Sequence, residues 1–166
     1  MAQARSRVRK SERSPPACAP VAEDLRLGPL ENLIGFHLRL AQSASFHAFA
    51  RRLGRVDVSP GWFAVLALIG ENPGITQTAL SRADTRDKSS LTPILDDLDR
   101  RGLITRERLP SNKRSYSLNL TRTGVRLRDE LMEHARAHER ELDQVVGPGR
   151  KADLIGTLRG ITTAFI

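Results

Sequence analysis

The residues best placed for chemistry lie in one short segment, RDKSSLTPILDDLDRRGL, Arg86 to Leu103. Arg86 and Lys88 stand beside Ser89, Ser90 and Thr92, while Asp96, Asp97 and Asp99 crowd the other end. This is not the layout of an acid–base pair or a metal cage. Cations hold phosphate oxygens, hydroxyls hydrogen-bond to phosphates and base edges, and acids repel a phosphate backbone. The chemistry on offer is non-covalent recognition of a polyanion, with the acidic end turned away and paired with Arg100 and Arg101. A second cationic group, Asn112-Lys113-Arg114, falls in the stretch LPSNKR. Either group alone has an ordinary reading, a solvated helix face or a hairpin turn. Together they favour DNA.

Positioning these residues requires particular elements. Leu91, Ile94, Leu95 and Leu98 recur with a helical period, and Gly102 stands where a left-handed C-terminal cap needs glycine. If that helix starts near Lys88, Pro93 cannot donate to the Ser89 carbonyl, and a bend is expected there. Thr76 can cap a short helix, Gln77 to Ala83, so two helices joined by a tight turn precede the charged loop. Tyr116, Leu118 and Leu120 alternate with polar neighbours as in a half-buried strand, with Leu103 to Arg108 as its partner. Lys113 and Arg114 then fall at the tip of the loop between them.

Ahead of this core, Leu30 to Gly54 reads as one long helix, apolar on most of its girth. Ser59 reads as an N-cap with Pro60 at the first position of a helix ending near Glu71. Behind it, Thr121 caps a helix to about Val146, on which Leu131, Ala135, His138, Leu142 and Val145 form a heptad-like seam. After Gly147 to Gly149, a last amphipathic helix places Leu154, Leu158, Ile161 and Phe165 on one face. The fold class is mainly α with a small β-hairpin wing: a winged helix-turn-helix (about 57–120) within a helical dimerisation frame (about 28–54 and 121–166). The seams exceed what one small chain can cover, so a homodimer is expected.

The stretch from about Leu33 to Val146 resembles the MarR family of bacterial transcriptional regulators. Asp87 to Gly124 carries the resemblance most specifically, through the recognition helix, the RGLI exit, the wing and the LT…G that opens the next helix. Two positions depart from the family pattern. Asn112 replaces an acid that orients the wing arginine, and Pro93 replaces a frequent basic residue. The resemblance implies contacts to a palindromic double-stranded operator through Thr76, Gln77, Arg86, Lys88, Ser89, Ser90, Thr92, Asn112, Lys113 and Arg114. It also implies an effector site between frame and winged helix, walled by His37, Arg39, Ala41, Ser45, Trp62, Phe63 and Leu66. His37, Arg39, Arg51 and Arg52 could hold a carboxylate or phosphate there. The stretches DKSSLTP and NKRSY resemble the subgroup answering to aromatic acids or their coenzyme A thioesters, which implies a repressor released by such an effector in aromatic compound catabolism.

Composition agrees with this and removes rival classes. The chain of 166 residues carries net charge +8. In residues 1–20, five cations face Glu12 alone, leaving +4, half of the chain's +8. Residues 1–23 read as a disordered basic tail. The single cysteine, Cys18, excludes a disulfide framework. The longest apolar run, Trp62 to Ile69, is too short for a bilayer span, so a cytoplasmic protein without membrane contact is expected. No phosphate loop, nucleophile elbow or paired acid–base motif is present, so neither an enzyme nor a cofactor is expected. The alternatives are a metal sensor using His134 and His138, a redox sensor using Cys18, and a winged helix for protein contacts without specific DNA binding.

Overall fold

The computed structural model describes residues 25–54, 58–109 and 112–165. The basic stretch expected over residues 1–23, with Cys18, lies outside them. The chain divides into two compact units, one ending at Arg39 and one spanning Leu40–Ile166.

A short 3-10 turn, Gly28–Asn32, precedes α1, Ile34–Leu53. The single helix expected from Leu30 is therefore interrupted: Leu33 is extended, with φ −93 and ψ 114. Pro29 opens the turn, and this 3-10 turn ends before the α-helical ladder begins. Next come α2, Gly61–Glu71, and β1, Ile75–Thr76. Ser59 is not the N-cap of α2. Pro60 takes that position one residue later, and the Ser59 hydroxyl accepts only a long 3.4 Å bond from the Gly61 amide.

α3, Gln77–Ala83, is capped as expected: the Thr76 hydroxyl accepts from the Ala79 amide at 3.2 Å. α4, Lys88–Arg100, begins at Lys88 with Pro93 inside it. Proline has no N–H, so the Ser89 carbonyl lacks its partner four residues on, while the helix itself runs on to Arg100. Leu91, Leu95 and Leu98 are fully buried on one stripe, each worth about 1.5–3 kcal/mol. They join Trp62, Val65, Leu66 and Ile69 of α2 and Leu80 of α3 in one core.

β2, Ile104–Leu109, and β3, Asn112–Leu120, form an antiparallel hairpin. β1 adds a third strand on the other side of β3, in the order β1-β3-β2. A hairpin alone was expected; two residues are too short to carry a readable alternation. The strands also run further than expected, so Lys113 and Arg114 belong to β3 and not to a loop tip. Pairing jumps from Arg108↔Tyr116 to Leu109↔Asn112, which leaves Lys113, Arg114 and Ser115 as extra residues on β3. The alternation holds at Leu118, 1% exposed, but not at Tyr116, which is exposed beyond the core beside Arg108.

α5, Arg122–Val146, and α6, Lys151–Phe165, complete the chain. The Thr121 hydroxyl caps α5 by accepting from the Gly124 amide at 3.0 Å. No residue of α6 is buried, and Phe165 is 85% exposed. Among the described residues no helix is long and apolar enough to cross a membrane.

Candidate nucleic-acid interface and effector cleft

The nose of α4 is held by a residue that sequence reasoning passed over. Asp87 is the N-cap: its carboxylate accepts from the Ser90 amide at 2.7 Å and the Ser89 hydroxyl at 2.6 Å. The Ser89 hydroxyl, then the Ser90 amide, hold the Asp87 carboxyl below the usual carboxylate range. The signal was legible as an acid three residues ahead of Ser90. The cap leaves Lys88, Ser89, Ser90 and Thr92 on the exposed start of the helix.

α3 is locked to this nose. Gln77 Nε2 donates to Thr92 Oγ1 at 2.9 Å, and Thr92 Oγ1 donates to the Lys88 carbonyl at 2.7 Å. Thr76, Gln77, Lys88, Thr92, Ser115 and Tyr116 line one hollow of about 220 Å³, so the HTH start and the wing strand share a surface. Arg86 sits differently from its neighbours. Its guanidinium lies 3.0 Å from Asp84 and donates to the Gly61 carbonyl at 3.3 Å, tying the α3–α4 turn to α2. Burial pushes the Asp84 carboxyl up, with the Arg86 charge opposing. In the same turn Thr85 has φ 52, a left-handed conformation that β-branched residues avoid. Asn112, Lys113 and Arg114 are placed on the backbone of β3.

The acidic end of α4 is paired, as expected. Asp97 meets Arg100 at 2.8 Å and Arg101 at 3.4 Å. A further partner was not foreseen: Arg106 of β2 reaches Asp96 at 2.6 Å and Asp99 at 3.4 Å, latching the wing to the recognition helix. Arg101 also lies over the Trp62 ring, 4.8 Å from its centroid. The exit of α4 is a Schellman cap. Gly102, φ +65, donates to the Asp99 carbonyl at 2.8 Å and Leu103 to Leu98 at 2.9 Å. The Thr121 and Thr123 hydroxyls both donate to the Gly102 carbonyl, at 2.6 and 2.8 Å. The RGL and LTRTG stretches are therefore two halves of one joint between α4 and α5.

A cleft of about 340 Å³ opens between α1, α2 and α5, walled by Phe46, Phe49 and Phe63 with Ser45, His138 and Glu139. Of the sequence-expected effector residues, the structure brings Ser45 and Phe63 here. Trp62 and Leu66 are buried in the core, and Ala41 is exposed on α1. Adjacent helical residues point about 100° apart, so Trp62 and Phe63 cannot share one wall. His37 and Arg39 belong to the unit ending at Arg39; there His37 Nε2 lies 2.7 Å from the Glu31 carbonyl and Arg39 stands over Phe36. Arg52 is ion-paired with Glu141, which holds the Glu141 carboxyl low. His138, read in the sequence as a seam residue, bonds Ser45 at 2.9 Å and lies 5.9 Å from the Phe49 ring. Among the described residues no group of three or more His, Cys, Asp or Glu could hold a metal.

The MarR family model matches residues 58–116. A Thauera aromatica protein, assigned as a transcriptional regulatory protein for the hcr operon, is 32% identical over 151 residues, covering 90% of each chain. The transcriptional repressor CouR, solved on a 23-mer DNA duplex, is similar at TM-score 0.76 and 32% identity, over 84% of this chain and 99% of that one. CouR bound to p-coumaroyl-CoA gives TM-score 0.77 and 30% identity, over 86% of this chain and 100% of that one. These relatives are transcriptional regulators and not enzymes.

Proposed function

The chain belongs to the MarR family, and from that premise we propose a dimeric repressor that leaves its operator when an aromatic acyl-CoA thioester fills the α1–α2–α5 cleft. A free aromatic acid is the second candidate effector. The observation that carries the reading is the pairing, on one chain, of a cationic, hydroxyl-bearing helix nose with a phenylalanine-walled cleft. CouR, similar over nearly the whole chain, has been solved on DNA and with p-coumaroyl-CoA.

In this account Lys88, Ser89, Ser90 and Thr92 enter the major groove, with Thr76 and Gln77 at its edge. The α4 N-terminus offers its free amides and positive dipole end to a phosphate. Arg114 reads the adjacent minor groove, and Asn112 and Lys113 complete the wing's contact to DNA. Arg86 acts from behind, as a brace of the turn. The acids of α4 stay outside because Arg100, Arg101 and Arg106 already hold them.

Dimerisation uses the exposed apolar residues of α6, including Leu154 and Leu158, and separately Leu33 and Ile34 at the entry to α1. Two reading heads about one DNA turn, roughly 34 Å, apart demand a palindrome. A cytoplasmic location follows from a chromosomal partner. Effector binding releases DNA only if the ligand prefers a different spacing of the heads; each tenfold of release needs about 1.4 kcal/mol of preference.

The test is footprinting on the DNA upstream of the protein's own gene, beside sedimentation of the full chain. A dimer protecting two symmetric arms one turn apart is expected. A monomer at micromolar concentration, or equal affinity for random duplex, would move the account to a winged helix used for protein contacts.

A further inference from the structure

Resting on the effector reading above, we infer that Ser45, held as a hydrogen-bond donor by His138, reads an acceptor oxygen on the effector's aromatic ring. The Ser45 hydroxyl and His138 Nε2 are 2.9 Å apart and partly buried. His138 Nδ1 is buried and has no hydrogen-bond partner among the described residues. A neutral imidazole carries one N–H and one lone pair. A proton on Nδ1 would bury an unsatisfied donor, which folded proteins avoid more strictly than an unmatched acceptor. The proton therefore sits on Nε2 and is donated to Ser45 Oγ. The Ser45 O–H is then free to donate into the cleft.

The walls define what accepts that bond. Phe46, Phe49 and Phe63 offer ring faces and edges, and the Phe49 and Phe63 centroids lie 5.7 Å apart. Among the described residues no lysine or arginine lines the cleft, whereas Glu139 does, itself 2.7 Å from Lys151. A carboxylate at this end would be buried without a lining cation to pair with it. A neutral oxygen, a ring hydroxyl or methoxy group, fits without a buried charge. The ligand class is thus a ring-oxygenated aromatic acyl group, entering ring first, with its charged coenzyme portion left outside.

The experiment is calorimetric titration of the full chain with cinnamoyl-CoA, 4-hydroxycinnamoyl-CoA and 4-methoxycinnamoyl-CoA. Both oxygenated thioesters should bind roughly three- to tenfold tighter than cinnamoyl-CoA, the range of one net hydrogen bond. In Ser45→Ala the three affinities should become equal, and Ser45→Thr should restore the preference. His138→Phe keeps a ring against Phe49 but drops the anchor of Ser45, so it should lower the ratio between oxygenated and plain ligands, whatever it does to the affinity for cinnamoyl-CoA itself. Retention of the full preference in Ser45→Ala or in His138→Phe overturns the inference. So does a methoxy compound no better than cinnamoyl-CoA, because Ser45 would then not be the donor. Equal binding of all three overturns the inference alone and leaves the effector reading standing. Absence of binding by all three removes the thioester reading, and this inference with it.

Discussion

Gly124→Ala should damage the joint between the reading head and α5 more than any other single-methyl change in that region. A Cβ at Gly124 would lie 1.9 Å from the Leu103 carbonyl oxygen and 2.9 Å from its carbon. The carbonyl cannot simply withdraw. It accepts the Thr121 amide at 3.0 Å, and the Leu103 amide is fixed to Leu98 at 2.9 Å. The Thr121 and Thr123 hydroxyls hold the neighbouring Gly102 carbonyl. Overpacking costs about 1–3 kcal/mol. One or two weakened hydrogen bonds add about 1 kcal/mol each. Alanine's better helix propensity returns about 1 kcal/mol. The net loss is about 1–4 kcal/mol, or roughly 2–16 °C in Tm for a chain of this size. Thermal unfolding by circular dichroism measures it, and operator binding of the folded variant should fall as well, since the exit of α4 is displaced. A melting point unchanged within a degree, with full DNA affinity, would refute the claim that this joint is tight.

Other expectations follow from the same geometry. Lys88→Ala and Arg114→Ala should each weaken operator binding and lower the slope of log K against log salt by about one unit for each phosphate left without its cation; anisotropy titrations between low and high salt read this. Asp87→Ala should loosen the nose of α4 and weaken DNA binding, while Asp87→Asn keeps the cap, removes a charge near the phosphates and should bind DNA at least as well. Because the Asp87 carboxyl is held below its ordinary range, its contribution is fully present above the unfolded-state pKa and is lost as pH falls through the lower folded value. The acid limb of a stability–pH profile should accordingly flatten in Asp87→Asn. Thr85→Gly should relieve the left-handed strain and raise stability by about 0.5–1 kcal/mol without changing operator affinity. Truncation after Val146 should weaken dimerisation and DNA binding together in sedimentation and footprinting.

How far the sequence alone reached depended on the kind of signal. α4, its glycine exit and the Thr76 and Thr121 caps were legible because a 3.6-residue stripe and a capping hydroxyl are local features. The interruption at Leu33 was not, since the residues on either side share the same apolar periodicity. β1 escaped because two residues carry no period. Proline, serine and asparagine imply a turn that puts Lys113 and Arg114 at its tip, whereas strand pairing with a bulge carries β2 and β3 further. At the cleft, proximity to α1 led to Ser45 and Phe63, but choosing Trp62 and Leu66 ignored the helical phase that turns them inward. His138 stood in plain view as a seam residue. Its bond to Ser45 joins positions 93 apart in the chain, which no local pattern encodes. The Arg106 latch was missed for the same reason: Asp96 and Asp99 were matched only to arginines on their own helix end.

Effector-driven release is read in a competition on one sample: the full chain bound to the DNA upstream of its own gene, titrated with aromatic acyl-CoA thioesters and with the corresponding free acids. A ring-oxygenated thioester should release the DNA at micromolar concentration, the free acid should require more, and coenzyme A alone should do nothing. A complex that persists at saturating concentrations of both series would contradict effector-driven release.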